Sequence, residues 1–217
     1  MREILFKGES ITYKEILQID EITIYANKIT CIVGESGGGK TTLLKLLNKL
    51  ISPTSGKLYY KDQDLDLLPS IEHRKEVILL AQKPYIYPKT ILDNFNIASK
   101  YHNLTLDEAK IHDLLKEVSL DKPLDFEVSN LSGGEAQRLA LARVIALNSE
   151  VILLDEPSSA LDDETEKLVI EKIVRYVKSH EKTLVMVTHS KQVANTYADH
   201  IYTIDKGQIK GRVNNGL

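Results

Sequence analysis

The stretch Cys31-Ile32-Val33-Gly34-Glu35-Ser36-Gly37-Gly38-Gly39-Lys40-Thr41-Thr42-Leu43-Leu44 decides the fold. An apolar strand candidate runs directly into glycines, and the leucines that follow have the spacing of a helix packed on a sheet. Residues 34–41 match the P-loop pattern, in which a strand, a Gly-rich turn and a helix follow one another. Glycines let successive backbone N–H groups turn inward around an anion, and the helix adds its positive N-terminal end. Lys40 would reach the β- and γ-phosphates of a nucleotide, and the Thr41 hydroxyl would ligate Mg²⁺.

Outward from this loop, short β-rich segments alternate with helical patterns. Strands are predicted near 57–60, 77–81, 151–154 and 183–188, and helices near 133–147, 163–179 and from 190. A hairpin at the sheet edge is predicted to turn at Lys206-Gly207. This order is typical of an α/β fold, and together with the loop it predicts a P-loop NTPase core with a mostly parallel sheet.

Residues 84–130 interrupt the alternation, because they carry few strand signals. The clearest element predicted there is a helix that opens at Thr105, with Glu108 three residues later as in a capping box. We therefore expect a single domain over 1–217, with a core of about 1–83 and 131–217 and a helical subdomain of about 84–130. No internal repeat or low-complexity linker divides the chain further.

Composition excludes several classes of protein. The 217 residues include 28 Lys and Arg against 31 Asp and Glu, and a net charge of −3 does not favour a nucleic-acid-binding protein. The one cysteine, Cys31, cannot form an internal disulfide, suits a reducing compartment, and reads as a small buried apolar residue. The longest apolar run, 77–81, has five residues, whereas a membrane span needs about 20. We expect an intracellular protein that does not insert into a membrane.

Two carboxylates follow a second apolar run, Val151-Ile152-Leu153-Leu154-Asp155-Glu156. Ligands of doubly wound sheets bind beyond the carboxyl ends of the strands, so this pair should lie beside the P-loop. Adjacent strand residues point to opposite sides, so the two carboxylates can hold different roles. Asp155 suits Mg²⁺, and Glu156 suits the positioning or deprotonation of a water that attacks the γ-phosphate.

A third motif, Leu131-Ser132-Gly133-Gly134-Glu135-Ala136-Gln137-Arg138, combines a capping box with glycines in the first turn of a helix. It predicts a second anion site at a helix N-terminus. The P-loop, this motif and Leu153-Leu154-Asp155-Glu156-Pro157, in that order, resemble the ATP-binding subunit (the nucleotide-binding domain) of ABC transporters over about 4–211. The resemblance implies an antiparallel β subdomain near the N-terminus and one complete ATP-binding cassette.

The resemblance also implies a role for each matching residue. Glu156 would be the catalytic base, His189 the switch histidine, and Gln82 the glutamine that senses Mg²⁺ and the γ-phosphate. The metal would be held by Thr41, Gln82 and Asp155, and Ser159-Ala160-Leu161-Asp162 would cross a dimer interface. The full set implied for nucleotide binding is Tyr13 (under adenine), Gly34, Glu35, Ser36, Gly37, Gly38, Gly39, Lys40, Thr41, Thr42, Ser132, Gly133, Gly134, Glu135 and Asp162.

In the mechanism that the family implies, two copies pack head to tail with two ATP molecules between them and Mg²⁺ at each. The copies would form a homodimer or a paralogous heterodimer, and ATP hydrolysis would drive a separate transmembrane permease at the cytoplasmic face of the membrane. The insert at 84–130 is the expected docking surface for that permease. No contact with nucleic acid and no direct membrane insertion is expected. The short insert is also similar to that of a compact bacterial metal (iron) export group.

Two other functions remain open at this stage. The first is an ABC-type ATPase that acts on DNA or ribosomes, although the short separation of Thr41 from Leu131 leaves no room for a long coiled coil. The second is a non-hydrolysing module in which ATP binding alone drives dimerisation. The presence of Glu156, Gln82 and His189 favours hydrolysis over this second reading.

Overall fold

The computed structural model describes residues 3–158 and 162–215, apart from the side chain of Asp163. Within these ranges, ten strands form two sheets and seven α-helices pack against them, which confirms the α/β class. None of these helices combines the length and the apolar character that crossing a bilayer requires.

The strands in chain order are β1 (Ile4–Tyr13), β2 (Leu17–Tyr25), β3 (Ile29–Val33), β4 (Ser55–Tyr60), β5 (Gln63–Asp64), β6 (Val77–Leu80), β7 (Val151–Asp155), β8 (Thr183–Val187), β9 (His200–Asp205) and β10 (Gln208–Asn214). The helices are α1 (Lys40–Leu47), α2 (Ser70–Glu76), α3 (Ile91–His102), α4 (Glu108–Glu117), α5 (Gly133–Ala146), α6 (Asp163–Ser179) and α7 (Lys191–Tyr197).

The larger sheet has the strand order β10-β9-β3-β8-β7-β6, and every pairing in it is parallel except that of β10 with β9. Its central strands read as continuous apolar runs because both faces of the sheet are covered. In β7, Val151 and Leu153 belong to the apolar cluster on one face, while Ile152 and Leu154 belong to the cluster on the other. The carboxyl ends of β3, β6, β7 and β8 therefore meet at one edge of this sheet.

One face of the larger sheet is covered by α1 and by the smaller, antiparallel sheet, which has the order β2-β1-β4-β5. This sheet is the antiparallel β subdomain expected near the N-terminus. Four leucines of α1 are fully buried between the two sheets, at positions 43, 44, 46 and 47. Each such side chain contributes about 2 kcal/mol of burial free energy, so this face anchors the helix that begins at the P-loop.

The other face is covered by the remaining long helices, and α5 lies between the sheet and the insert. Contacts of α5 with both α3 and α4 make one continuous apolar cluster that includes the fully buried Phe95 and Ile111. The insert thus rests on the helix that carries the third motif at its N-terminus.

The insert differs from its prediction at the start of α4. Asp107, not Thr105, is the N-cap residue, because its carboxylate accepts a hydrogen bond from the Lys110 N–H at 2.7 Å and the helix begins at Glu108. Sequence reasoning also missed α2 and α3. Helix α3 begins with a capping box in which Thr90 and Asp93 exchange side-chain-to-backbone hydrogen bonds. The usual sequence pattern has Glu or Gln at the position of Asp93, so a search for that pattern does not find this helix.

Candidate functional site

The P-loop connects the end of β3 to the start of α1, as the sequence predicts. Gly39 has φ 98° and a Cβ there would lie 2.8 Å from Leu17 Cδ1 and 3.1 Å from the Ile16 carbonyl oxygen. A residue with a side chain would therefore be strained at this position, both by its backbone and by the turn between β1 and β2. The close approach holds the N-terminus of α1 against that turn.

Lys40 lies inside the loop. Its Nζ donates hydrogen bonds to the carbonyl oxygens of Gly34 at 2.9 Å and Glu35 at 2.7 Å, and the residue is only 4% exposed. Because the residue is almost fully buried, its charge is poorly screened by water. An anion that enters the loop would meet this charge together with the N-terminal end of α1.

Thr41 and Asp155 join the P-loop to the end of β7. The Thr41 hydroxyl donates to the carboxylate of Asp155, at 3.0 Å from Oδ1 and 2.8 Å from Oδ2. Burial raises the pKa of Asp155, and the neighbouring Glu156 adds to this rise, while the bond from Thr41 opposes it. The result is an exposed hydroxyl beside a buried carboxylate, two hard oxygen donors at the carboxyl edge of the sheet.

Glu156 lies at the centre of a second contact set. Its backbone is left-handed, with φ 49°, and its N–H donates to the Val187 carbonyl oxygen at 3.1 Å, which anchors the turn to β8. The carboxylate Oε2 accepts from Gln82 Nε2 at 2.6 Å, and Oε1 lies 2.7 Å from His189 Nε2. Gln82 follows β6 and His189 follows β8, so the three side chains meet because β6, β7 and β8 are neighbouring parallel strands.

The third motif forms a separate cleft at the start of α5. The Ser132 N–H donates to the Glu135 carboxylate at 2.9 Å, and the Glu135 N–H donates to Ser132 Oγ at 3.2 Å. The first of these bonds lowers the pKa of Glu135. The cleft measures about 530 Å³ and is lined by Ser132, Gly133, Gly134, Glu135, Arg138, Asp162 and Thr165.

Asp162 lines this cleft and is the N-cap residue of α6. Its carboxylate accepts from the Thr165 N–H at 3.0 Å. Ser159, Ala160 and Leu161, the other residues of the predicted interface loop, lie outside the described residues.

A sequence pattern described as "ABC transporter" matches residues 17–159, which include the P-loop, the Ser132 motif and the two carboxylates. The chain belongs to the ABC transporter family. As an ABC cassette, it binds ATP and belongs to the ABC ATPases, in agreement with the three motifs.

Known relatives of the cassette agree with this assignment. It is 37% identical to "Probable iron export ATP-binding protein FetA" of Escherichia coli, over 88% of this chain and 84% of that protein. It is 36% identical to "Phosphate import ATP-binding protein PstB" of Thermotoga maritima, over 94% and 84%. The dimeric cassette MJ0796 "bound to ADP and Pi" has a TM-score of 0.86 and 26% identity, covering 97% of this chain and 98% of that one.

The structure divides the predicted site residues of the cassette into two groups. One group meets at the sheet edge and comprises the P-loop, Gln82, Asp155, Glu156 and His189. The other group lines the cleft at α5 and comprises residues 132–135 and Asp162. Tyr13 ends β1, and its carbonyl oxygen accepts from the N–H of Ile16, the residue that approaches Gly39. The Tyr13 backbone is therefore tied to the turn between β1 and β2 that approaches Gly39.

Sequence reasoning missed the support that the cassette's P-loop receives from the hairpin between β9 and β10. The Gly207 N–H donates to the Gly38 carbonyl oxygen at 3.0 Å, and the Gly207 carbonyl oxygen accepts from the Gln18 N–H at 2.7 Å. The Lys206-Gly207 pair signals a turn in the sequence, but no local signal pairs that turn with a loop so distant in the chain.

Proposed function

We propose that this ABC cassette binds and hydrolyses MgATP at a head-to-tail interface between two copies, and thereby drives transport through a separate transmembrane subunit. The observation that carries the proposal is the position of Glu156, whose carboxylate is held between Gln82 and His189 beside the Thr41–Asp155 pair. A module that only binds ATP would have no need of a carboxylate held in this way at the strand end.

The P-loop would hold the triphosphate of ATP. Residues 34–42 supply backbone N–H groups and the N-terminus of α1, and Lys40 would exchange its bonds to the Gly34 and Glu35 carbonyls for bonds to phosphate oxygens. Tyr13, the last residue of β1 before the turn, would stack on the adenine ring. These roles follow from the family motifs, and the contacts around Gly39 support them.

The donor set at the sheet edge fits Mg²⁺. Thr41 and Asp155 offer a hydroxyl and a carboxylate within hydrogen-bond distance of each other, and Gln82 would add an amide oxygen. No group of three or more His, Cys, Asp or Glu side chains that could form a cage occurs among the described residues, and Mg²⁺ in nucleotide sites takes several of its ligands from phosphates and water. When bound there, the ion would neutralise charge that develops on the β- and γ-phosphates.

Glu156 would position the attacking water and accept its proton. A carboxylate oxygen within reach of the water acts as a general base, and His189 and Gln82 hold this carboxylate in place through contacts of 2.7 Å and 2.6 Å. His189 would turn from Glu156 to the γ-phosphate once ATP is bound. Its half-exposed side chain, 51% accessible, leaves room for that movement.

The cleft at α5 would complete the site of the other copy. The N-terminus of α5 offers N–H groups of Gly133 and Gly134 to an anion, and Asp162 lies at the same cleft. Because each chain carries one P-loop and one such cleft, head-to-tail packing of two copies forms two composite sites. The dimeric state of the related cassette supports this arrangement.

The transmembrane subunit would dock on a groove between the core (about 1–83 and 131–217) and the helical subdomain (about 84–130). This groove of about 300 Å³ lies over the edge strand β6 and is lined by Tyr85, Tyr87 and Arg143, among others. Arg143 donates to the Tyr85 carbonyl oxygen at 2.6 Å and to Asn94 Oδ1 at 2.9 Å, so it ties α5 to the segment after Gln82. Docking there would hold the cassette peripherally at the cytoplasmic face of the membrane.

The decisive variant is Glu156→Gln, which keeps the hydrogen-bonding shape but removes the base. We expect ATP turnover, measured with the cognate membrane subunit, to fall by about 100-fold or more. We also expect the variant to form a stable dimer with MgATP, detected by size-exclusion chromatography with light scattering. Glu117→Gln removes a carboxylate from the exposed side of α4 and should match the wild type in both assays.

Three outcomes would contradict the proposal. Wild-type protein without turnover in the presence of its membrane subunit would favour the non-hydrolysing module. Full activity in Glu156→Gln would exclude Glu156 as the base. A monomeric Glu156→Gln variant at saturating MgATP would exclude the head-to-tail interface.

A further inference from the structure

Glu135 places a negative charge at the cleft where the proposed function requires an anion to bind. It is the third residue of α5 and lines the cleft together with Gly133 and Gly134. An unpaired carboxylate in this position would repel the γ-phosphate of ATP held by the other copy. The structure shows how the charge is compensated.

Both oxygens of the Glu135 carboxylate are engaged. Oε2 accepts from the Ser132 N–H at 2.9 Å, and Oε1 lies 3.2 Å from Lys122 Nζ. The Lys122 ammonium also lies 4.7 Å from the centroid of the Phe126 ring, a cation–π distance. The side chains of Lys122 and Glu135 are 30% and 21% exposed, so both are partly covered.

We propose that Lys122 is a positioning residue of the composite ATP site, one that neutralises Glu135 and keeps its carboxylate turned back onto Ser132. The N–H groups of Gly133 and Gly134 are then free to receive the γ-phosphate of the ATP bound by the second copy. This role rests on the head-to-tail site proposed above.

The balance of charge around the cleft gives Lys122 its importance. The cleft is lined by two acidic residues, Glu135 and Asp162, and by one basic residue, Arg138. With Lys122 the two cations balance the two anions, and without it the cleft is net negative. Lys122 reaches Glu135 from the segment between α4 and α5, so the insert takes part in the chemistry of the interface.

A double-mutant cycle tests the proposal in the Glu156→Gln background, where hydrolysis does not interfere. The variants are Lys122→Met, Glu135→Gln and the two combined, and sedimentation velocity at saturating MgATP gives the dimer dissociation constant. Each dimer contains two composite sites. If Lys122→Met weakens the contribution of each site to dimerisation by about threefold, the dimer dissociation constant should rise by about tenfold. With Glu135→Gln already present, the same substitution should change the constant by less than about twofold.

Matched variants separate this role from a structural one. Lys122→Arg should restore dimerisation, and Lys116→Met, which removes the same charge from a lysine 79% exposed on α4, should have no effect. The tenfold difference should shrink in 0.5 M NaCl, where exposed charges are screened within a few ångströms.

The outcomes distinguish the two proposals. If the Glu156→Gln parent stays monomeric, the head-to-tail site is wrong and the role of Lys122 falls with it. If the parent dimerises but Lys122→Met has no effect, or costs the same with and without Glu135→Gln, only the role of Lys122 is wrong.

Discussion

The P-loop edge of the sheet and the cleft at α5 both prepare a site for phosphate, but they do so in different ways. At the sheet edge, buried strands bring Thr41 to Asp155, and Gln82 and His189 to Glu156, so these side chains bond to one another. At the cleft, the geometry is local to one helix terminus and faces outward. The first region is organised by the fold of one chain, whereas the second acquires a function only against another copy.

The largest expected effects come from two variants, each of which inactivates only one of the two regions. Lys40→Met removes the buried ammonium of the P-loop and should weaken ATP binding by the monomer by about 100-fold or more. Gly133→Asp places a carboxylate in the cleft, where a new Cβ meets nothing within 4 Å, so the chain should fold normally. This second variant should bind ATP as a monomer and fail to dimerise. Binding of a fluorescent ATP analogue and light scattering measure the two effects.

Mixing these two variants sharpens the comparison. A heterodimer of a Lys40→Met chain and a Gly133→Asp chain has one composite site with both halves intact, so ATP turnover should reappear on mixing. Each variant mixed with itself should stay inactive. Activity of Gly133→Asp alone at the wild-type level would mean that the cleft takes no part in the site.

The sheet edge was predictable from the sequence because its motifs are local. Asp155 and Glu156 come at the end of one apolar strand pattern and the P-loop follows another, and parallel strands align their carboxyl ends. Gln82 and His189 were predicted only through the family resemblance, because no local pattern marks them. The contacts within it were not predictable in detail, because they join residues distant in sequence. Gly207 bonds to Gly38, and Gln82 and His189 both contact the carboxylate of Glu156.

The insert was less predictable, for a different reason. Caps compete within a few residues of one another, and at α4 the carboxylate of Asp107 captures the Lys110 N–H, although Thr105 with Glu108 fits the usual pattern better. The pairing of Lys122 with Glu135 joins a loop to a helix terminus and has no spacing that a sequence pattern could show.

An intermediate effect is expected at the turn between β9 and β10, which bonds to the P-loop through Gly207 and Gly38. Gly207 has φ 76°, and a Cβ there would overlap the Ile16 carbonyl oxygen. Gly207→Ala should therefore destabilise the chain by about 2 kcal/mol, or about 5 °C in melting temperature, and should also weaken ATP binding. Gly211→Ala is the matched control, because its new Cβ would lie 3.8 Å from Thr203 in ordinary contact. Equal melting temperatures for the two variants would contradict the strain expected at Gly207, and an unchanged ATP affinity of Gly207→Ala would show that the turn does not constrain the P-loop.

The smallest expected effect contrasts the two carboxylates. The pKa of Asp155 is raised from 3.8 by burial, and that of Glu135 is lowered from 4.5 by the Ser132 N–H. A carboxyl group whose pKa is raised by folding stabilises the chain only below its pKa in the unfolded chain. This stability is lost as the pH rises through its pKa in the folded chain, so the Asp155 charge destabilises the nucleotide-free chain at pH 7. A carboxyl group whose pKa is lowered by folding stabilises the chain above its pKa in the unfolded chain. This stability is lost as the pH falls through its pKa in the folded chain, so the Glu135 charge stabilises the chain at pH 7.

Neutral substitutions should thus have opposite signs in the two regions. At pH 7, we expect Asp155→Asn to stabilise the chain by about 1 kcal/mol, as removal of a functional buried charge commonly does. Glu135→Gln should destabilise it by about 0.3 kcal/mol, since a screened surface charge at a helix N-terminus contributes little and Gln also completes a capping box. As the pH falls from 7, the melting temperature of Asp155→Asn should converge on the wild-type value, because the raised pKa lets Asp155 take up its proton in the folded chain. Glu135→Gln should keep its deficit down to the unfolded value of 4.5 and converge only below it, as the pH falls through the lowered pKa of Glu135. A destabilising Asp155→Asn at pH 7 would mean that the carboxylate gains more from its charge-assisted bond with Thr41, which a neutral Asn oxygen reproduces only in part, than the desolvation of its charge costs.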